Sequence, residues 1–229
     1  MIQAVLFEFD GVIAETREAR RMALLDALEE DSLALSDDEY DERCAALPVR
    51  SAIRAAFSSR DITGDETRVD LAAVRAERAF ASSADAGLSL MVGARGLIES
   101  LQGHTRLAIV SRAARRDIDA TLSLAQLDYA FEFIVSDDDP YLPKPSAEPY
   151  LAALERFARR RPVLPGHIVA MEDGMAGIRS AHGAGLRCAV VGPVPAHVAV
   201  EADALIPSLA GVTTGSIDAL TLGKHAAGR

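Results

Sequence analysis

The sequence predicts an α/β protein, a doubly wound parallel sheet carrying an inserted all-helical domain, and three observations support that expectation. Short apolar runs alternate with longer stretches of helical periodicity, as in successive βαβ units. The first run, Ile2 to Phe7, is nearly continuous in hydrophobic residues, the pattern of a strand covered on both faces. Between residues 15 and 88 the alternation stops and no strand-like run occurs.

Taken in order, strands are expected at 2–9, 105–110 (TRLAIV), 131–135 (FEFIV), 167–171 (HIVAM) and 186–191 (LRCAVV), with a weaker one near 203–206. Helical stretches separate them at 93–102, 113–126, 146–160 and 174–184. Inside the insert, Met22/Leu25, Leu24/Leu28 and Val69/Ala73 keep helical spacing, and Ser36-Asp37-Asp38-Glu39 reads as a capping box. The expected organisation is a discontinuous α/β core, residues 1–14 and 89–229, with a helical domain at 15–88. Arg159 to Arg161 stand just before Pro162, where cations suit the C-terminus of a helix.

Composition narrows the function classes. In 229 residues, 49% hydrophobic content is ample for a buried core. A formal charge of −10 argues against nucleic-acid or anionic-membrane partners, which are bound by basic faces. A small anionic substrate would therefore need a local cluster of positive groups. Cys44 and Cys188 fit neither a metal-ligand spacing nor a disulfide framework, so reduced thiols in a cytoplasmic protein are expected. The N-terminus lacks a basic leader region, and no apolar run approaches the roughly 18 residues of a membrane helix, so a soluble, unprocessed chain is expected.

The chemistry-bearing residues lie just beyond the strands. The first strand ends in Glu8-Phe9-Asp10-Gly11, two carboxylates spaced i, i+2, and ligands of open α/β sheets sit beyond the carboxyl ends of strands. Ser111 and Arg112 follow the second strand, offering a hydroxyl and adjacent N–H groups to a phosphate oxygen; standing alone, Ser111 is better read as a turn or N-cap residue. Lys144, in Pro143-Lys144-Pro145, is one of only two lysines, the other being Lys224, in a chain that otherwise uses arginine. A fixed ammonium there suggests a point charge. Glu172-Asp173 closes the fourth strand ahead of two glycines, Gly174 and Gly177; the competing reading is helix N-terminal charge. Four converging carboxylates, Glu8, Asp10, Glu172 and Asp173, would repel one another without a cation, and hard oxygen donors point to Mg²⁺.

The stretch Val5 to Thr16 (VLFEFDGVIAET) resembles the first motif of the haloacid dehalogenase-like phosphohydrolases, Asp-x-Asp-Gly-Val/Thr, whose first Asp attacks a phosphoryl group. Glu8 stands at that first position. The order Glu8/Asp10, Ser111, Lys144, Glu172/Asp173 is similar to the four-motif order of that superfamily. Val92 to Leu97 (VGARGL), Lys144 to Tyr150 (KPSAEPY) and Glu172 to Gly185 (EDGMAGIRSAHGAG) most resemble its helical-cap subgroup, the β-phosphoglucomutases and phosphoglycolate-type phosphatases. The resemblance implies a Rossmann-like core with a helical cap, a small phosphorylated metabolite as substrate and Mg²⁺ as cofactor. It implies that Asp10 is the general acid/base with its main-chain oxygen on the metal, and that Ser111 with Arg112, and Lys144, hold the phosphoryl group. Glu8, Glu172 and Asp173 would complete the metal site. In the cap, Arg50 (in LPVR) and Arg20 are implied substrate contacts, against the competing reading of plain surface arginines.

Departures from the family restrict the chemistry. Residues 15–88 contain no lysine, so the Schiff-base lysine of phosphonoacetaldehyde hydrolases has no counterpart. The mutases use a cap lysine, and a histidine where this chain has Arg20, which disfavours a sugar-phosphate mutase. Dehalogenases lack the second motif acid, whereas Asp10 is present. Glu8 adds one methylene, a displacement of up to about 1.5 Å, and a misplacement of about 1 Å can cost on the order of 100-fold in rate. A phosphatase of reduced or altered mechanism is the leading expectation, ahead of a phosphate-binding or regulatory protein without turnover and of a purely structural domain.

Overall fold

The computed structural model describes residues 1–45, 47–62 and 65–222; Lys224 lies outside them. The chain divides into two compact units, Met1–Glu15 with Ser89–Arg229, and Thr16–Leu88.

In the first unit, β1 (Ala4–Phe7) is buried at every position, so it sits in the middle of the sheet. Its neighbours are β2 (Arg106–Val110) on one side and β4 (Ile168–Glu172) on the other. β3 (Ile134–Val135) lies outside β2, while β5 (Arg187–Val191) and β6 (Ala204–Ile206) continue beyond β4. The order is β3-β2-β1-β4-β5-β6 with every pair parallel. Parallel pairing requires crossovers, and helices supply most of them. They are α5 (Ala94–Leu101), α6 (Arg115–Leu124), α7 (Glu148–Arg160), α8 (Met175–Gly183), the short α9 (Ala196–Ala199) and, after the last strand, α10 (Thr214–Leu222). Ala4, Leu6, Ala108, Val110, Ala170, Cys188 and Val190 bury one sheet face against Tyr150, Ala153 and Phe157 of α7 and Ile178 and Ala181 of α8.

The strand order reverses at β1, which makes the crevice between β1 and β4 the switch point where ligands bind in open sheets. Phe7 pairs with Met171 and with Ile109, so the residues just past all three strands share one edge.

The second unit contains α1 (Arg17–Glu29), α2 (Asp37–Arg43), α3 (Val49–Ser58) and α4 (Glu66–Asp85), with no strand among its described residues. Leu24, Leu28, Ile53, Phe57, Val69 and Ala73 meet in its own core, each at helical spacing on its element. Ser36 and Glu39 form the reciprocal capping box that opens α2.

Strand limits contract relative to the sequence pattern. The first run was expected over 2–9, but the ladder ends at Phe7 because the chain folds back on itself. Gly11 has φ +71°, its N–H donates to Ala14 O at 2.9 Å, and Phe9 O accepts from Ile13 and Ala14. The run at 131–135 keeps only Ile134–Val135 as strand, since a 3-10 turn at Asp128–Ala130 precedes it. Both cysteines are buried and unbonded. Among the described residues, no helix is long and apolar enough to cross a membrane.

Candidate functional site

Glu8 immediately follows β1 and is held in register by its N–H, which donates to Met171 O at 2.8 Å. Ser111 follows β2 and donates its own N–H to Val135 O at 2.9 Å. Glu172 is the last residue of β4, and Lys144 lies in the loop between β3 and α7. All four are buried: Glu8 is 4% exposed, Ser111 5%, Lys144 5% and Glu172 1%.

Their side chains form one network around the Lys144 ammonium. It donates to Glu8 Oε2 at 2.5 Å, to Glu172 Oε1 at 2.6 Å and to Val110 O at 2.7 Å. An ammonium has three donors, and here all three are used. The other Glu8 oxygen, Oε1, accepts from the Phe9 N–H at 2.8 Å and from the Ser111 hydroxyl. Ser111 Oγ in turn accepts the Ala113 N–H at 3.0 Å. Burial opposes the charge of Lys144, but Glu172 and Glu8 outweigh it and raise its pKa above the ordinary 10.5.

Glu172, expected among the metal acids, is engaged by the protein itself in this structure. Its carboxylate is turned inward, accepting from Lys144 and, at 2.5 Å, from the Tyr150 hydroxyl. Gly177 makes the room: a Cβ there would fall 1.9 Å from Glu172 Cδ. Burial pushes the Glu172 carboxyl up, Lys144 pulls it down, and the nearby Glu8 charge adds to the upward shift.

Tyr150 was not singled out as a site residue from sequence. It is fully buried on the first turn of α7, its ring centroid 5.1 Å from Lys144 Nζ, and burial followed by the Glu172 charge raises its phenol well above 10. A hydroxyl-bearing aromatic six residues after a singular lysine was the available signal.

Asp173, next in the chain, is exposed as a residue, but its carboxyl packs onto the Asp10-Gly11 turn rather than onto Lys144. It lies beside the Asp10-Gly11 turn, since a Cβ on Gly11 would sit 3.1 Å from Asp173 Cβ. Loss of hydration, then the charges of Glu8, Glu172 and Asp10, push its carboxyl up to about 7. Among the described residues, no three His, Cys, Asp or Glu side chains gather as a ready metal cage. Mg²⁺ needs only one or two carboxylates plus water and substrate oxygens, so the donors at Asp10 and Asp173 fit that ion rather than a fully protein-lined site.

Arg112, Arg20 and Arg50 are the remaining expected residues. Arg112 is exposed beside Ser111 and takes no part in the Lys144 network. In the helical unit, the Arg20 guanidinium lies 4.0 Å from the centre of the Phe80 ring, and Arg50 is ion-paired with Asp70 and, at 3.7 Å, with Glu66. Both arginines are engaged within their own unit.

Residues 5–191 match the family model described as haloacid dehalogenase-like hydrolase. The chain is 31% identical over 197 residues to the protein CbbY of Cereibacter sphaeroides, covering 83% of this chain and 84% of that one. Its structure is similar to that of CbbY from Rhodobacter sphaeroides in complex with phosphate, with a TM-score of 0.73, 28% identity, and coverage of 95% of this chain and 100% of that one. A variant of that CbbY in complex with xylulose-(1,5)bisphosphate superposes with a TM-score of 0.70, 28% identity, and coverage of 92% and 96%. The acid, hydroxyl, lysine and acid pair assembled at the switch point of a doubly wound sheet, together with a family match spanning most of the chain, place this protein in the haloacid dehalogenase-like hydrolase family.

Proposed function

We propose that the chain hydrolyses phosphate monoesters of small metabolites, sugar phosphates foremost, with Mg²⁺ and by a route altered at Glu8. The observation that carries this reading is the convergence of Ser111, Lys144 and Glu8 in one buried network at the sheet's switch point. Lys144, Ser111 and the Phe9 N–H are the donors suited to three phosphoryl oxygens, and their positive field offsets the charge that develops on them. Asp10 delivers a proton to the leaving alkoxide. Glu8 is the carboxylate available either to attack phosphorus or to orient the attacking water.

Asp10, through its main-chain oxygen, and Asp173 would hold Mg²⁺, Glu172 being committed to Lys144. Bound there, the ion supplies charge that offsets the phosphoryl oxygens. The helical unit is proposed as the cap that selects the substrate, with Arg20 and Arg50 as its candidate contacts. A cytoplasmic location belongs to the same reading, supported by two buried, unbonded thiols.

The saturation of Lys144 by protein acceptors favours one second reading, a phosphate-sensing protein with little turnover. A phosphate-ester screen with and without Mg²⁺, run on the native chain beside Glu8→Asp, separates the two. Mg²⁺-dependent hydrolysis by either form supports the first; phosphate binding without hydrolysis by either supports the second.

A further inference from the structure

Glu8 places its carboxylate where a bound phosphate would need its donors. Oε1 takes the Phe9 N–H and the Ser111 hydroxyl, and Oε2 takes Lys144 at 2.5 Å. These are three donors of different kinds, from the loop after β1, the end of β2 and the loop before α7, gathered on one side chain. We infer that the Glu8 carboxylate is a resident anion of the phosphate cradle, and that a phosphorylated ligand binds by displacing it.

The displacement can run through only one member of the network. Lys144 has no spare donor, so a phosphate oxygen must replace Val110 O, Glu172 or Glu8. Val110 O belongs to the backbone of a buried strand. Glu172 is fixed by the Tyr150 hydroxyl and by the space at Gly177. Glu8 alone is attached through a side chain at the mouth of the sheet, where rotation about its own bonds moves the carboxylate without moving a strand. An incoming phosphate dianion replaces a monoanion on the same donors, so the ammonium keeps its compensation throughout the exchange.

The inference rests on the proposed phosphate cradle but not on turnover, and its test is a binding measurement. Inorganic phosphate is titrated calorimetrically, without metal, into the full chain, Glu8→Ala, Glu8→Gln, and Glu8→Ala combined with Lys144→Met; circular dichroism verifies folding. Glu8→Ala is expected to bind phosphate at least about 10-fold more tightly than the native chain, and the added Lys144→Met to abolish the gain. Should Glu8→Ala fail to fold, Glu8→Gln, which keeps the volume but not the charge, is expected to gain about 3-fold on the same scale. Equal affinity in the native chain and the folded variants overturns the inference, as does a gain that survives Lys144→Met. A gain in Glu8→Ala accompanied by no ester hydrolysis in the native chain or in Glu8→Asp supports the resident carboxylate and refutes the hydrolase reading alone.

Discussion

Glu8→Asp is the most informative substitution because it changes reach and leaves charge intact. Removing one methylene retracts the carboxylate by up to about 1.5 Å. The 2.5 Å contact from Lys144 Nζ to Glu8 Oε2 then opens toward about 4 Å, beyond hydrogen-bond range, and the Ser111 hydroxyl is released in the same step. Lys144 stays charged because Glu172 and Val110 O still accept from it. Two phosphate donors are thereby freed while the carboxylate withdraws to the reach typical of the family's first-motif acid. A correction of about 1 Å in the position of a reacting group can be worth on the order of 100-fold in rate. Part of that is offset by the lost packing, so kcat/KM is expected to rise at least about 10-fold, about 1.4 kcal/mol in barrier height. The assay is phosphate release from a panel of sugar monophosphates with Mg²⁺. Asp10→Asn in the Glu8→Asp background should remove the gain, since the leaving group loses its proton donor. A fall in an already measurable activity on Glu8→Asp would refute the reasoning and show a site rebuilt around glutamate, with water as the attacking group.

Lys144→Met leaves Glu8 and Glu172 buried without their shared cation and should cost about 3–5 kcal/mol at neutral pH by chemical denaturation. In the native chain the folded-state pKa of Lys144 lies above the ordinary 10.5, so its contribution is complete at neutral pH and should fade only as pH climbs beyond that value. Gly177→Ala drives a Cβ into the Glu172 carboxylate and should destabilise by about 1–3 kcal/mol, while weakening phosphate binding through a displaced Lys144. Asp173, its carboxyl raised from 3.8 to about 7, disfavours folding of the metal-free chain as pH rises across that interval. Protons compete with Mg²⁺ for it, so the thermal shift produced by Mg²⁺ should grow from about one pH unit below 7 to one above and disappear in Asp173→Ala.

Among the described residues, hydrophobic runs located the six strands of the sheet, most clearly β1, β2, β4 and β5, where near-complete burial leaves an unbroken apolar signature, and least clearly the half-exposed edge strand β6. They did not locate the strand ends. Phe9, Val12, Ile13 and Ala14 are as buried as β1 itself, yet they line a tight turn, and burial alone does not distinguish a ladder from a packed loop. α9 has only four residues, and in α10 (TGSIDALTL) Ile, Ala and Leu are interspersed with Thr, Gly, Ser and Asp, so neither carries a helical period that could be read in advance. In the site, Glu8, Ser111 and the acid pair were legible from their places after apolar runs, and Lys144 from the scarcity of lysine and its position between two prolines. The division of labour between Glu172 and Asp173 was not. Two adjacent acids look alike in a sequence, whereas successive residues at a strand end point to opposite sides, sending one inward to Lys144 and the other onto the Asp10-Gly11 turn.

The same distinction governs Glu8. Its extra methylene implied a displaced carboxylate, but the direction depends on what the buried ammonium requires. With Glu8 turned out to solvent, Lys144 would keep its charge and lose one of three acceptors, at a desolvation penalty of several kcal/mol. With Glu8 turned in, every donor is satisfied. The resting position is therefore set by Lys144 rather than by the reaction the carboxylate could perform. A ligand that releases Glu8 must leave Lys144 at least as well compensated, which a phosphate dianion does and a neutral sugar does not. Discrimination for the phosphorylated form of a metabolite would then arise in the core, before any cap residue has been consulted.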